Sequence, residues 1–111
     1  MKRIIKFRVY SKDTKEMFQP HAFIEDYQKR DDVVLMQYTG LKDINGIEVY
    51  EGDTIKYNNR KYNVKWHIDR FGMQNPKSSD YLWFDNYSKR ARNDNSEIIG
   101  NIYENPNLLK G

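Results

Sequence analysis

The chain has 111 residues, 38% hydrophobic and 32% charged, with a formal net charge of +3. That length suits one domain with a modest core, and 9 Tyr, 5 Phe and 2 Trp supply apolar volume that argues against disorder. The absence of cysteine excludes disulfides, thiolate metal sites and a cysteine nucleophile, and no apolar run is long enough for a membrane-spanning helix.

The opening MKRIIKFRVY interleaves basic and apolar residues, where a secretory leader would carry an unbroken apolar core. Ile5, Phe7 and Val9 alternate with Lys6, Arg8 and Tyr10, which predicts a first strand with one core face and one wet face. Residues 11–15 read as a turn. Met17, Phe18, Phe23 and Ile24 surround Pro20, which cannot donate to a ladder, so a second strand there is short, at an edge, or broken. Glu25 to Asp32 has no apolar period and reads as a loop or one helical turn.

Val33 to Tyr38 predicts a strand ended by Gly40. Asp43-Ile44-Asn45-Gly46 has the residues of a tight turn, Ile47 to Tyr50 those of a short strand or bridge, and Glu51-Gly52-Asp53 those of a second turn leading into a strand over Thr54 to Tyr57. Asn58-Asn59 is a hairpin signal, since asparagine reaches positive φ at low cost. Tyr62, Val64, Trp66 and Ile68 then alternate with Lys61, Asn63, Lys65 and His67, the longest regular alternation in the chain. Asp69 to Asp80 reads as a loop around Gly72 and Pro76. Tyr81 to Phe84 is apolar on both faces, residues 86–96 are polar, and Glu97 to Tyr103 forms a last strand. Glu104 to Asn107 is a turn or helix start that docks Leu108 and Leu109 as a terminal cap. The pattern predicts an all-β single domain over residues 1–111, with seven or eight short, mostly antiparallel strands in a partly closed barrel or sandwich.

Three stretches together resemble the YopX family of small bacteriophage and prophage proteins. They are IKFRVY at 5–10, QYTGLKDINGIEVYEGDTIKY at 37–57 and EIIGNIYENPNLL at 97–109. The resemblance implies a mostly β fold, a phage or prophage origin, a cytoplasmic location in the bacterial host and a tendency to self-associate. It implies no reaction, so it supplies no catalytic residues.

The residues themselves assign no catalytic, cofactor or metal site. His21 and His67, the only histidines, share no ligand spacing with carboxylates such as Asp69 or Asp80. Glu51 and Asp53 flank Gly52 as turn-bracing residues more readily than as an acid–base or magnesium pair. Gly40 and Gly46 lie in no phosphate-loop pattern, and Ser78, Ser79 and Ser96 lie in no nucleophile elbow.

Two surfaces stand out. Lys6, Arg8, Lys56, Arg60, Lys61 and Lys65 form basic stripes on wet strand faces, with a further run at Lys89, Arg90 and Arg92; they are either nucleic-acid contacts or a solvated face. Tyr81, Leu82, Trp83, Phe84, Ile98 and Ile99 are candidates for a homo-oligomer interface. The expectation is a non-enzymatic interaction or accessory protein that self-associates, with nucleic-acid binding as the alternative and a phage hydrolase or nuclease as the third reading.

Overall fold

The computed structural model describes residues 5–57, 59–67, 70–77, 81–83 and 96–109, with residues 67, 70 and 81–83 placed by their backbone alone. β1 (Phe7–Ser11) pairs along its edge with the two-residue β2 (Met17–Phe18), so the strand beside Pro20 is short and at a sheet edge, as its missing donor requires. A five-residue helix α1 (Ile24–Gln28) follows and buries Tyr27. β3 (Val33–Lys42) lies antiparallel to β1, with Val9 opposite Leu35, and also pairs with β4 (Glu48–Tyr50). The order of this sheet is β2-β1-β3-β4.

Gly40 does not end β3. The register shifts between Tyr38 and Lys42, and the Thr39 hydroxyl both donates to the Val49 carbonyl and accepts from the Leu41 amide. A bulge therefore carries the strand past the glycine.

The second sheet contains β5 (Asp53–Tyr57), β6 (Arg60–His67), β7 (Arg70–Gln74), β8 (Tyr81–Trp83) and β9 (Glu97–Asn101), in the order β8-β7-β6-β5-β9. All pairings in both sheets are antiparallel. Asn59 has φ 63 at the β5–β6 hairpin, as its sequence signal predicts. β7 replaces part of the loop expected between 69 and 80: Phe71 and Met73 are buried, and Met73 lies opposite Val64.

Each sheet has its own apolar cluster. Ile55, Tyr62, Val64, Phe71 and Met73 form the larger one, and Leu41 and Val49 reach into it from the first sheet. Val9, Tyr27 and Val33 form the smaller one, with Phe18 and Leu35 against them.

Two large aromatics lie outside the core. Phe23, just before α1, is 78% exposed. Trp66 is 46% exposed and meets Phe71 edge to face at 4.8 Å; the β5–β6 ladder ends at the Thr54–Asn63 pair, so the far end of β6 lacks that neighbour. Pro106–Leu109 forms a terminal 3-10 turn, and a Cβ added at Gly100 would come within 2.6 Å of both Leu108 Cδ1 and Asn105 Oδ1. The expected leucine cap thus closes directly over β9. No helix among the described residues is long and apolar enough to cross a membrane.

Candidate functional site

The polar residues of the central stretch converge on the joint between the two sheets. Asp43 opens the β3–β4 turn and is 1% exposed. Its Oδ1 accepts the Asn45 and Ile47 amides at 2.9 Å, while Oδ2 accepts the Ile98 amide of β9 at 3.0 Å. The neighbouring Ile44 amide donates to the Ser96 carbonyl at 2.9 Å. A local turn brace is also the fastener between sheets.

Glu51 and Asp53 divide similar work. Glu51 Oε1 accepts the Gln37 amide at 2.9 Å, and Asp53 Oδ2 accepts the Tyr50 amide at 2.7 Å, closing the turn that contains Gly52. The Gly52 amide donates to the Val64 carbonyl, and its own carbonyl accepts from Ile102. The turn is therefore bonded to both β6 and the chain after β9. Asn101 repeats the device: its Oδ1 accepts the Tyr103 and Glu104 amides, and its own amide donates to Asn105 Oδ1.

Arg8 corrects the solvent-stripe expectation for β1. Its side chain is only 13% exposed, and Nη2 donates to Asp53 Oδ1 at 2.7 Å, beside the Glu51 carbonyl and 4.7 Å from the Tyr50 ring centroid. Its Nε is buried without a partner among the described residues. Burial pushes the Asp53 carboxyl above the usual aspartate range, although Arg8 and the Tyr50 amide favour its ionised form. The pair thus holds geometry against a desolvation cost.

Lys6 belongs to the same neighbourhood. It pairs with Glu48 at 2.6 Å, lies 5.5 Å from the Tyr38 ring centroid, and is raised chiefly by the Glu48 hydrogen bond. Burial also raises the phenols of Tyr38, Tyr50 and Tyr103, with Glu48 adding to the first two and Glu51 to the third.

The six basic candidates therefore do not share one surface. Lys56 and Lys61 face each other across the β5–β6 ladder, both exposed, and the alternation of β6 puts Lys65 on the same face. Arg60 pairs with Tyr57 at the hairpin and falls on the opposite face. Arg8 lies on β1 of the other sheet and Lys6 just before it, each bonded to a carboxylate.

The interface candidates also separate. Tyr81, Leu82 and Trp83 constitute β8 at one end of the strand order, whereas Ile98 and Ile99 lie on β9 at the other, and Ile98 packs against the larger cluster. Phe84, Lys89, Arg90 and Arg92 lie outside the described residues, and of His67 only the backbone is placed. His21 stacks on Phe18 with ring centroids 5.7 Å apart. Among the described residues, no three His, Cys, Asp or Glu side chains are grouped to hold a metal.

Sequence reasoning identified the turns but missed the reach of Asp43 to Ile98 and of Arg8 to Asp53. The residue types at a turn signal local bracing, and nothing in the spacing marks a bond across 55 or 45 positions.

The fold has a counterpart among solved structures. The chain is similar to protein EF1440 from Enterococcus faecalis, known from a crystal structure, with 25% identity, a TM-score of 0.71 and coverage of 97% of this chain and 99% of that one. No curated protein matches. The family model for "YopX protein" matches residues 19–110, which span β3, β4 and every element of the five-stranded sheet, and the chain therefore belongs to the YopX family.

Proposed function

We propose that this YopX family protein is a non-enzymatic interaction protein of phage or prophage origin that assembles with copies of itself in the bacterial cytoplasm. The observation that carries the reading is the place of β8: the apolar strand Tyr81–Trp83 is outermost in its sheet, and among the described residues it pairs only with β7. An apolar edge strand is a template for pairing with another chain. Asp43, Glu51 and Asp53 of the central stretch support the same reading, because each of them is committed to backbone amides.

Light scattering across a range of protein concentrations tests it. The expected result is a mass above that of one chain, reduced towards one chain by Trp83→Lys. A single-chain mass throughout sinks the assembly reading.

A second reading is nucleic-acid binding, favoured by the like charges of Lys56 and Lys61 placed directly opposite on an exposed face. Such pairs oppose folding, so a counter-charged ligand there would relieve them. Gel shifts at two salt concentrations should show binding that weakens steeply with salt and is lost when Lys56, Lys61 and Lys65 are all changed to glutamine. Binding retained in that variant removes this face from consideration.

A further inference from the structure

A cavity of ≈ 230 Å³ lies where the β5–β6 hairpin, the turn after β7 and the terminal 3-10 turn meet, lined by Asn59, Arg60, Lys61, Asn75, Pro76, Lys77, Leu108 and Leu109. We propose that it binds one nucleotide, with the phosphate held by Arg60, Lys61 and Lys77 and the sugar or base against Leu108 and Leu109. The proposal shares Lys61 with the basic-strand reading and goes beyond it, adding an open concave subsite with an apolar wall.

Charge gives the first argument. Among the described residues, the ionisable ones lining the cavity are Arg60, Lys61 and Lys77, all cations. Lys61 faces Lys56 across the β5–β6 ladder, and the β6–β7 pairing ends at Asn63–Gln74, short of Lys61. Among the described residues it therefore has no acidic cross-strand partner, although Lys56 has Glu97. A concave site lined by one sign of charge focuses its field on an incoming anion. Arginine supplies a planar donor fork suited to phosphate oxygens, and the lysines add point charges.

Preorganisation gives the second. Asn59 is in the left-handed conformation, fixing the chain just before Arg60 and Lys61. Buried Asn75 accepts the Lys77 amide through Oδ1 at 2.8 Å, so the turn carrying Lys77 is set in advance. Leu108 is fixed by its approach to Gly100. Little ordering is left for a ligand to impose.

Size and polarity give the third. The cavity is smaller than the roughly 300–1,000 Å³ typical of sites that enclose a whole drug-sized ligand. One nucleotide unit, partly seated, matches it better than a longer polyanion. Half-buried Leu108 and Leu109 provide apolar surface that a bare inorganic anion cannot use. The unit can be a free nucleotide or part of a single strand.

Amide NMR titrations of the full chain with inorganic phosphate, adenosine monophosphate and a short oligothymidylate test the proposal. Saturable shifts at Asn59, Lys61, Lys77 and Leu109 are expected with adenosine monophosphate, the oligonucleotide or both, with inorganic phosphate binding at least about tenfold more weakly. Lys77→Gln, at an exposed turn residue away from the strand face, should weaken that binding on the order of tenfold, while Lys12→Gln should leave it unchanged. Preference for the mononucleotide identifies a free nucleotide as the source, and preference for the oligonucleotide a unit within a strand. The proposal is overturned by the absence of saturable shifts at these amides, by inorganic phosphate binding equally well, or by indifference to Lys77→Gln. Oligonucleotide binding that depends on Lys56 and Lys65 but not on Lys77 refutes the cavity while leaving the strand-face reading intact.

Discussion

Changing Asp43 to alanine tests whether one carboxylate fastens the two sheets. The substitution removes acceptors for three backbone amides, those of Asn45 and Ile47 in the turn and Ile98 in β9, from a side chain that is 1% exposed. A hydrogen bond to a charged group contributes about 1.5–3 kcal/mol, and an abandoned buried donor costs about 1–3 kcal/mol. Asn45 and Ile47 are exposed residues, so water can replace part of what their amides lose, whereas the Ile98 amide belongs to the ladder region of β9. The sum is about 4 kcal/mol, a large share of the ~5–15 kcal/mol that holds a typical domain together.

Asp43→Asn keeps one acceptor oxygen but turns an amide group towards a donor, and should cost about half as much. Urea unfolding followed by linear extrapolation measures both values, with an unchanged slope showing that the native state is still compact. For a chain of this size the alanine variant should melt on the order of 15 °C lower. Hydrogen exchange adds the spatial test: the Ile98 amide should lose protection beyond the global loss. A cost below about 1 kcal/mol for Asp43→Ala, or unaltered relative protection at Ile98, would refute the inter-sheet role.

Further substitutions probe the same joint. Gly52 has φ +86, and a Cβ there would stand 3.1 Å from Met36 Sδ and 3.2 Å from Tyr103 Cε2, whereas Gly46, at φ +79, has nothing within 4 Å. Gly52→Ala should therefore destabilise by about 2–3 kcal/mol in urea and Gly46→Ala by only about 1 kcal/mol; equal costs would show that crowding is irrelevant. Thr54 is fully buried with no partner for its hydroxyl among the described residues, so the near-isosteric Thr54→Val should stabilise the chain by about 1 kcal/mol, and a loss of stability would mean that the hydroxyl is bonded. For Asp53, whose carboxyl is raised in the folded chain, the folded state holds the proton to higher pH than the unfolded state does. Its contribution is fully present below the ordinary aspartate pKa and is lost as pH rises through the raised value. The stability of the native chain minus that of Asp53→Asn should accordingly fall across that window; a rise would mean that pairing with Arg8 outweighs burial.

The turns were legible because their chemistry is local. Asn59 and the Asp43–Gly46 turn announce themselves by residue type, and the alternation over Tyr62 and Val64 reports the core face of β6 directly. β7 was hidden because only Phe71 and Met73 are apolar, alternating with Arg70, Gly72 and Gln74, which leaves too short an apolar pattern beside Asn75 and Pro76. Arg8 shows a different limit. Alternation separates the two faces of β1 but cannot tell whether a later turn covers one of them, and the turn containing Asp53 does so from 45 positions away. Trp66 fails for the converse reason, since its position is on the core side but the neighbouring strand stops short of it. Nor could the basic residues be sorted from spacing alone. Lys6 and Lys61 both occupy wet-face positions, yet one meets Glu48 and the other meets Lys56.

The segment matched by the family model begins at residue 19, but the folding unit begins earlier. β1 lies between β2 and β3, and both β1 and β2 precede the matched segment. Val9 is fully buried in the smaller cluster, and Arg8 faces the Asp53 carboxylate of the central turn. A chain started at Gln19 would lose two of four strands from the first sheet, leave one edge of β3 unpaired, and strip Asp53 of its cation. Uncovering Val33 and Tyr27 adds the loss of apolar burial, about 1.5–3 kcal/mol for each large side chain returned to water, and removing one partner of a buried pair adds roughly 3–5 kcal/mol. Together these losses reach the whole stability expected of a small domain. The truncated chain should therefore show no cooperative urea transition by circular dichroism, whereas the full chain should show one. A cooperative transition of undiminished slope in the truncated chain would mean that the first strand is an accessory, and that the Arg8–Asp53 contact contributes little to defining the fold.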